Sequence, residues 1–493
     1  MTGRRPGFLA LLLHTHMPYV EGFGTWPFGE EWLWEAVASV YLPLLDVIDG
    51  APVTVGLTPV LCDQLEAMNG EAGDRYLRHL DEISAVIHAE DSAGLARGGE
   101  PMLAAELRRA GGDYVSAGRE FERRGRDLVG AFGALERVEL WTSAATHALL
   151  PLLATDAGLR LQVGSGTASH RRRFGDWGGG FWLPECAYEP GLEGDLADHG
   201  VRAFCVDQTR VAGFDHLRPV ATKTGPLAVP IDWATIELVW DEQAGYPADG
   251  AYRDYHRRTV HDLKPWDNAG GTYDREAALA RARRHARDFV ARAAARLADG
   301  GLLCCALDTE LLGHWWYEGQ DWLAAVVEEA PRAGLELVTV SEGLERVEPQ
   351  RAELVRSTWG TGKDLSTWDS PRVRDLAVAA RRAELRTVAA AARAPRAVLE
   401  RAARTTVSAA DAEAASRAAL ARAARELLAM QSSDWAFMMS REVAGDYPLK
   451  RMEHHEAELD AALGALGRTG DDPPEPALRG LAPDLDLAAL TTP

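Results

Sequence analysis

Short, nearly continuous apolar runs recur along the chain, and longer stretches with helical periodicity separate them. Seven runs predict β-strands, at residues 8–13, 52–57, 138–142, 180–184, 201–206, 301–307 and 335–340. A run without polar alternation is typical of a parallel strand that is buried on both faces. The stretch 274–298 has an acidic first turn and glycines after its end, which predicts a helix. Alternating strands and helices indicate an α/β fold, and seven strands indicate a barrel or near-barrel.

The composition between and after these runs predicts how the chain divides. Residues 1–355 contain the strands of the barrel, and about 63–130 hold more helix than one crossover needs, which indicates a helical insertion. About 208–265 contain Pro- and Gly-rich loops and one possible hairpin, and we interpret them as a loop or hairpin insertion. Residues 356–470 become rich in Ala, Arg and Glu, which is typical of a helical C-terminal domain. Residues 471–493 lack periodicity and are predicted to form a disordered tail.

The net charge of the chain limits the kinds of molecule that it is expected to bind. Acidic residues outnumber basic ones by 74 to 53, and the net charge of −21 argues against a nucleic acid or an anionic membrane as partner. No apolar stretch approaches the roughly 20 residues that a membrane-spanning helix needs. Five scattered cysteines without a CxxC motif predict neither a disulfide framework nor a zinc site, and they favour the cytoplasm.

Polar residues follow the ends of several predicted strands. His14 and His16 come directly after the first strand, His147 follows the third, Glu185 ends the fourth and Asp308 ends the sixth. Barrel enzymes place their active sites at the carboxyl ends of the strands, so we expect these side chains to line one pocket. The alternative is that they are ordinary polar loop residues, since loops are polar in most proteins.

Two segments combine carboxylates with aromatic residues. Residues 181–191 read FWLPECAYEPG, and residues 306–319 read ALDTELLGHWWYEG, in which Asp308 and Glu310 lie two positions apart. Paired carboxylates suit the cleavage of a glycosidic bond, because one attacks the anomeric carbon and the other protonates the leaving oxygen. The 15 tryptophans are in keeping with a sugar site, because sugar rings stack on flat aromatic faces.

The His14-x-His16 pair allows three interpretations. A metal site would need at least one more ligand, such as Asp308 or His147. Both imidazoles would otherwise hydrogen-bond the hydroxyls of a sugar, which is the interpretation that we favour, or form a structural pair at the end of a strand.

Tryptophans also lie in the C-terminal part of the chain. Trp359 and Trp368 belong to a glycine-bearing loop, where an exposed Trp is costly unless it binds something. Asp434 and Trp435 end a helical run, and we interpret Trp435 as core filling because Met and Phe surround it.

Five short motifs resemble those of glycoside hydrolase family 57, and in particular those of its α-1,4-glucan branching enzyme group. They occur in the family's order, as HTHMPY (14–19), GLTP (56–59), WLPECAY (182–188), LDTELLGHWWYEG (307–319) and SSDWAFM (432–438). The resemblance extends over about residues 8–460. It implies an incomplete (β/α)7 barrel followed by a helical domain that contributes to the active-site cleft.

The resemblance also implies a reaction and its residues. The enzyme would be a retaining transglycosylase, active as a monomer or small homo-oligomer, that cleaves α-1,4 links of amylose or a glycogen-like polymer and forms α-1,6 branches. Glu185 would be the nucleophile and Asp308 the general acid/base, and no metal or organic cofactor is implied. The predicted substrate-binding residues are His14, His16, His147, Trp182, Trp266, His314, Trp315, Trp359, Trp368 and Asp434.

Other functions are open on the sequence alone. Branching enzymes of this family carry a flexible loop with an important Tyr between the third and fourth motifs, whereas residues 207–232 here are short and contain no Tyr. Leu57 also stands where the second motif commonly has Asn. An α-1,4-glucan hydrolase or a 4-α-glucanotransferase with little branching activity is therefore an alternative. Two further alternatives are a metal-dependent polysaccharide deacetylase that uses His14 and His16, and a non-catalytic glucan-binding protein.

Overall fold

The computed structural model describes residues 6–25, 28–241, 243–404, 408–466 and 480–491, with the backbone alone at 84–85 and 396–404. Within these ranges the chain forms nine β-strands. They are β1 (Gly7–Thr15), β2 (Thr54–Leu57), β3 (Glu139–Ser143), β4 (Gly180–Trp182), β5 (Ala203–Val206), β6 (Val220–Ala221), β7 (Leu227–Pro230), β8 (Gly301–Asp308) and β9 (Glu336–Leu337).

Seven parallel strands form a barrel in the order β1, β2, β3, β4, β5, β7 and β8, and β8 pairs back with β1. The contact between β7 and β8 is a single parallel bridge, in which the Asp232 amide donates to the carbonyl of Cys304 at 2.8 Å. The barrel therefore has one strand fewer than the usual eight. The predicted incomplete (β/α)7 barrel is confirmed.

Two predicted elements have different roles from those that the sequence indicated. The hairpin within 208–265 exists, because β6 and β7 pair antiparallel, but β7 also pairs parallel with β5 and is itself a barrel strand. The run 335–340 is not a full barrel strand. Its two-residue strand β9 pairs with Phe8 and Leu9 near the start of β1, and α13 begins at Val340. A capping box of Thr339 and Glu342 ends the extended backbone there.

The core of the barrel follows from the apolar runs. Every residue of β1 from Phe8 to Thr15 is buried, as expected for a strand covered on both faces. Outside the barrel, the helix α11 (Arg275–Arg296) buries Ala278, Ala282 and Ala286 on one face at four-residue spacing. Small side chains at these positions allow α11 to pack closely on its neighbours.

Helices surround the barrel, and five of them lie between β2 and β3. The helices up to β9 are α1 (Glu30–Ala36), α2 (Leu42–Ile48), α3 (Pro59–Ala67), α4 (Glu71–Asp81), α5 (His88–Arg97), α6 (Pro101–Arg123), α7 (Leu128–Gly133), α8 (Asp156–Phe174), α9 (Leu192–Asp198), α10 (Trp233–Trp240), α11 (Arg275–Arg296) and α12 (Gly319–Arg332). A π-helical turn, Val37–Tyr41, joins α1 to α2. In the described residues, no helix combines the length and the apolar character needed to cross a bilayer.

After β9 the described chain is helical. Its helices are α13 (Val340–Arg346), α14 (Arg374–Arg404), α15 (Ala409–Met430), α16 (Ser433–Arg441) and α17 (Tyr447–Ala465). The last four share a hydrophobic core that also includes Tyr19, Val60 and Ala145 from the barrel part of the chain. The helical region is therefore packed directly on the side of the barrel that carries the ends of β1, β2 and β3.

The prediction of a disordered tail is wrong for residues 480–491. Leu481 and Leu490 are buried in the core of the C-terminal helices, and the Ala482 amide donates to the Asp63 carboxylate at 2.8 Å. The Arg425 side chain donates to the carbonyl of Leu481 at 2.8 Å. A few leucines anchor this segment through tertiary contacts, which a lack of periodicity does not reveal. Residues 471–479 and 492–493 of the predicted tail lie outside the described residues.

Candidate active site

The carboxyl ends of the barrel strands bring the predicted residues to one cavity. His14 and Asp308 are register partners at the ends of β1 and β8, so their side chains start from neighbouring positions. Glu185 follows β4, and His147 follows β3. All four, together with His16, line one cavity of about 2590 Å³. The shared pocket that the strand ends predicted is therefore present.

Glu185 lies on a strained turn. The chain leaves β4 through a short 3-10 turn over Pro184–Cys186, in which Glu185 and Cys186 have φ angles of 59° and 49°. Positive φ is costly for residues other than glycine, and such strain is found most often at functional sites. The turn is stabilised by the Trp359 amide, which donates to the carbonyl of Glu185 at 2.9 Å.

Two hydrogen-bond donors from the C-terminal part of the chain reach the Glu185 carboxylate. The Trp359 indole N–H donates to Oε2 at 2.8 Å, and the Ser433 hydroxyl donates to Oε1 at 3.1 Å. His147 Nδ1 lies 3.8 Å from Oε1. Burial raises the pKa of Glu185 to about 7, although the hydrogen bonds from Trp359 and Ser433 act in the opposite direction. The two donors therefore limit the rise in pKa and keep part of the carboxyl ionised near neutral pH.

Asp308 has different surroundings. Its carboxyl accepts no hydrogen bond from any residue that the structure describes, although it ends a buried strand. Burial, followed by the negative charges of Glu310 and Glu185, holds the pKa of Asp308 well above its usual range. The environment therefore favours the protonated form of Asp308.

Three histidines and a tryptophan form a stack on one side of these carboxyls. The ring of His147 lies 4.1 Å from that of His16 and 4.8 Å from that of His14, measured between centroids. The Trp182 ring stacks on His14 at 4.6 Å. Burial lowers the pKa of His14 and that of His147 well below the usual value, so both imidazoles are neutral. A neutral imidazole can donate one hydrogen bond and accept another, as a sugar hydroxyl requires.

His16 is held by hydrogen-bonding partners on both ring nitrogens. Its Nε2 lies 3.0 Å from Asp434 Oδ2, and its Nδ1 lies 3.1 Å from Thr58 Oγ1. Burial lowers the pKa of His16, but Asp434 outweighs this effect and the net shift is upward. Burial likewise opposes ionisation of Asp434, but His16 lowers its pKa to about 2 overall. The pair therefore favours an imidazolium and a carboxylate within the stack.

A fourth carboxyl, Glu310, holds the backbone of His16. Its Oε1 accepts the backbone N–H of His16 at 3.1 Å and the Tyr41 hydroxyl at 2.7 Å. Burial raises the pKa of Glu310 to about 7. Because Glu310 is also the first of the charges that raise the pKa of Asp308, it links the histidine stack to that acid.

Among the described residues, those with the geometry to hold a metal ion are His16, His147 and Asp434. One ligand atom from each lies within 4.8 Å of the others. This set differs from the one considered on the sequence, because His14 is not part of it and neither is Asp308. Within the set, His16 Nε2 and Asp434 Oδ2 lie at hydrogen-bonding distance, 3.0 Å apart.

Seven further residues were predicted to bind substrate. Five of them line the cavity, and two do not. Those that line it are His314, Trp315, Trp359, Trp368 and Asp434. Trp182 is fully buried, stacks on His14 and does not line the cavity, so the structure places it as a support of His14. Trp266 lies outside the cavity, with the Arg257 guanidinium 4.4 Å above its ring. Trp435 is core, as predicted, and its indole donates to the carbonyl of Ala429 at 2.7 Å.

Sequence reasoning missed several polar residues of the site. Ser433 lies beside the predicted Asp434, but a serine at the start of a helix is usually a cap and carries no signal of its own. Tyr41 lies in an apolar helical segment, far from any motif, and Thr58 precedes the proline that begins α3. Glu310 was recognised as a second carboxylate but was not assigned to the site.

Comparisons with known proteins agree with this geometry. The family model described as "Glycosyl hydrolase family 57" matches residues 10–355, and the one described as "1,4-alpha-glucan branching enzyme, C-terminal" matches residues 392–481. A probable 1,4-alpha-glucan branching enzyme of Mycobacterium tuberculosis is 33% identical over 94% of this chain and 92% of its own length. A 1,4-alpha-glucan branching enzyme of Thermococcus kodakarensis is 30% identical over 94% of this chain and 74% of its own length.

Solved structures give the same result for the fold. The crystal structure of a branching enzyme of this family from Pyrococcus horikoshii has a TM-score of 0.85 and 29% identity, and covers 98% of this chain and 96% of its own. That of the Thermococcus branching enzyme, in complex with glucose, has a TM-score of 0.80 and 29% identity, covering 94% and 92%. The motifs, the barrel and the family model lead to one conclusion: the chain belongs to glycosyl hydrolase family 57.

Proposed function

We propose that this chain is a retaining α-glucan transglycosylase that cleaves α-1,4 links and forms α-1,6 branches. The observation that carries the proposal is that Glu185 and Asp308 face one cavity and that hydrogen-bond donors reach only Glu185, among the described residues. Hydrogen-bond donors favour the anion at Glu185, whereas burial and neighbouring charges favour the acid at Asp308. A nucleophile and a proton donor of a retaining glycosidase need this difference.

In the first step, an oxygen of the Glu185 carboxylate attacks the anomeric carbon of a glucosyl unit. The bond between that carbon and the glycosidic oxygen breaks, and the Asp308 carboxyl gives its proton to the leaving oxygen. The released chain departs with a free 4-hydroxyl, and the remaining chain stays on Glu185 as a glycosyl ester.

In the second step, Asp308, now ionised, takes the proton from the 6-hydroxyl of an acceptor glucan. That oxygen attacks the anomeric carbon, the ester bond to Glu185 breaks, and the carboxylate is regenerated. Both displacements invert the anomeric carbon, so the product keeps the α configuration. If water takes the place of the 6-hydroxyl, the outcome is hydrolysis, and exclusion of water therefore decides the product.

The histidine stack supports binding of the sugar at the cleavage point. His14 and His147 are neutral and line the cavity beside both carboxyls. We assign them hydrogen bonds to hydroxyls of the reacting glucosyl unit. The His16–Asp434 pair keeps His16 in a fixed orientation within the same stack.

The match of residues 392–481 to the C-terminal model of branching enzymes favours branching over other reactions of the family. The relatives that are called branching enzymes match 94% of this chain, including most of the C-terminal helices. The alternative is an α-1,4-glucan hydrolase or a 4-α-glucanotransferase with little branching activity. Residues 207–232, which are short and contain no Tyr, are the observation that favours this alternative.

Incubation with amylose separates these reactions. We expect α-1,6 links to accumulate, measured by chain-length analysis after debranching, with few new reducing ends. New reducing ends without new α-1,6 links would identify a hydrolase. Longer and shorter unbranched chains without new reducing ends would identify a 4-α-glucanotransferase.

The setting of the enzyme is part of the same proposal. All five cysteines are buried and unpaired, which supports a reducing compartment such as the cytoplasm. The expected partner is an α-1,4-glucan alone, and the expected state is a monomer or small homo-oligomer.

A further inference from the structure

The loop that carries Trp359 is attached to the barrel before it reaches Glu185. Ser357 and Tyr188 exchange backbone hydrogen bonds at 2.9 and 3.1 Å, and the Trp359 amide follows with its bond to the carbonyl of Glu185. The side chain of Gln208, which follows β5, donates to the Ser357 hydroxyl at 3.1 Å. These contacts fix the backbone on the N-terminal side of Trp359.

Lys363 makes the corresponding attachment on the C-terminal side of Trp359. Its Nζ lies 2.9 Å from Asp207 Oδ2. The same Nζ donates to the carbonyl of Trp359 at 3.2 Å and lies 2.9 Å from the centre of the Trp233 ring. An ammonium group has three N–H bonds, and these three contacts occupy it. The charge of Lys363 is therefore used within the protein, although the side chain lies at the wall of the cavity.

Asp207 needs a cation at this position. Its side chain is fully buried directly after β5, and Oδ1 accepts both the amide of Thr209, at 2.9 Å, and the Thr209 hydroxyl. Oδ2 accepts no well-aligned hydrogen bond from the residues that the structure describes. The Lys363 ammonium therefore compensates Oδ2 by charge, and its loss would leave a buried carboxylate without a counterion.

The backbone at Lys363 is strained in a way that serves these contacts. Lys363 has a φ angle of 55°, a value that is costly for a residue with a side chain, and Gly362 before it has a φ of 78°. The Lys363 amide donates to the carbonyl of Gly360 at 2.9 Å and closes a tight turn. Through this turn the side chain returns to Trp359, four positions earlier in the chain. Such strain persists only where the surrounding contacts maintain it.

We propose that Lys363 is a positioning residue for the nucleophile. By bridging Asp207 and the carbonyl of Trp359, it holds the Trp359 indole at the place from which its N–H donates to the Glu185 carboxylate. The proposal rests on the proposed function, because it takes Glu185 to be the nucleophile. Lys363 acts through Trp359 and takes no part in the bond changes at the anomeric carbon.

Removal of the charge of Lys363 is the first test. Lys363→Met keeps most of the length of the side chain, and we expect kcat on amylose to fall by about tenfold, because the donor to Glu185 is no longer fixed. Asp207→Asn keeps the shape of the partner without its charge and should give a smaller loss in the same direction. Lys223→Met, at an exposed position, is the matched control and should keep the activity of the parent enzyme.

A double-mutant cycle with Trp359→Phe distinguishes positioning from general stabilisation. Trp359→Phe lacks the indole N–H, so addition of Lys363→Met to it should cause little further loss of kcat. The pH profile of kcat/KM gives a second measure. A weakened donor favours the protonated form of Glu185, so Lys363→Met should move the acid limb upward. In the Trp359→Phe background, the same change should not move the limb further.

Three results would contradict the proposal or its basis. Parent-level kcat in both Lys363→Met and Asp207→Asn would overturn it, and so would an equal loss in the two Trp359 backgrounds with the acid limb in place. Thermal melting shows whether each variant is folded, and Asp207→Asn takes the place of Lys363→Met in the cycle if the latter is not. If Glu185→Gln keeps the parent activity, the proposed function fails, whereas the cycle still reports whether Lys363 acts through Trp359.

Discussion

Glu185 and Asp308 are both partly buried carboxyls in one cavity, but the structure surrounds them differently. Glu185 receives one N–H and one O–H donor, both from parts of the chain beyond β9. Asp308 receives none from the described residues and has two other carboxyls, Glu310 and Glu185, as its principal charged neighbours. A position at the end of a strand does not by itself decide whether a carboxyl acts as the nucleophile or as the proton donor. The hydrogen-bond donors and charges around the carboxyl decide its role.

The backbone repeats this difference. Asp308 continues a regular strand in register with His14, whereas Glu185 lies in a turn with positive φ. The turn directs the Glu185 side chain toward Trp359 and Ser433, which a regular strand end would not reach. Strain at Glu185 therefore has a specific consequence, the access of two donors to its carboxylate.

The largest expected effect comes from removing the nucleophile. Glu185→Gln keeps the shape of the side chain but has no anion to attack, so we expect kcat on amylose to fall by about 10⁴-fold or more. The loss should be the same for every leaving group. Glu237→Gln, at an exposed position of α10, is the control and should keep full activity.

Asp308→Asn tests the other half of the comparison. We expect a loss of about 10²- to 10⁴-fold on amylose, because the leaving oxygen then lacks its proton donor. A glycosyl fluoride needs less help from an acid, so its first step should be affected far less. Equal losses on amylose and on the fluoride would contradict the assignment of Asp308 as the acid.

Ser433→Ala is expected to give the smallest change, seen in the pH dependence of kcat/KM. Glu185 must be ionised to attack, so activity rises as pH passes through its pKa, and Asp308 must be protonated, so activity falls at higher pH. Loss of a donor to the Glu185 anion should move the acid limb upward by about one pH unit and leave the alkaline limb in place. Ser433→Thr keeps the hydroxyl, so the acid limb of its pH profile should lie at the same pH as that of the parent enzyme.

A purely structural role for Ser433 would appear differently. Thermal stability would then fall while both limbs of the profile stayed where they are in the parent enzyme. That outcome would remove the distinction between the surroundings of Glu185 and those of Asp308.

Much of the fold was predictable because its signals are local. The apolar run of β1 and the alanine spacing of α11 appear directly in the sequence, and both elements form where they were expected. The segment 227–230 could not be assigned correctly, because its hairpin partner is local but its parallel partner β5 is not. Residues 480–491 were misinterpreted for the same reason, since their few leucines are anchored by helices far away in the chain.

The alternation of strands and helices, the family motifs, and the carboxyls and histidines at the strand ends are all visible in the order of the residues. Such features depend on periodicity and on residue type, which are properties of neighbouring positions. The hydrogen bonds from Trp359 and Ser433 to Glu185 connect residues 174 and 248 positions apart, so they arise only when the chain folds. Folding also buries Trp182 against His14 and places Trp315 at the cavity. Protonation and exposure depend on everything that packs around a group, and that surrounding exists only after the chain has folded.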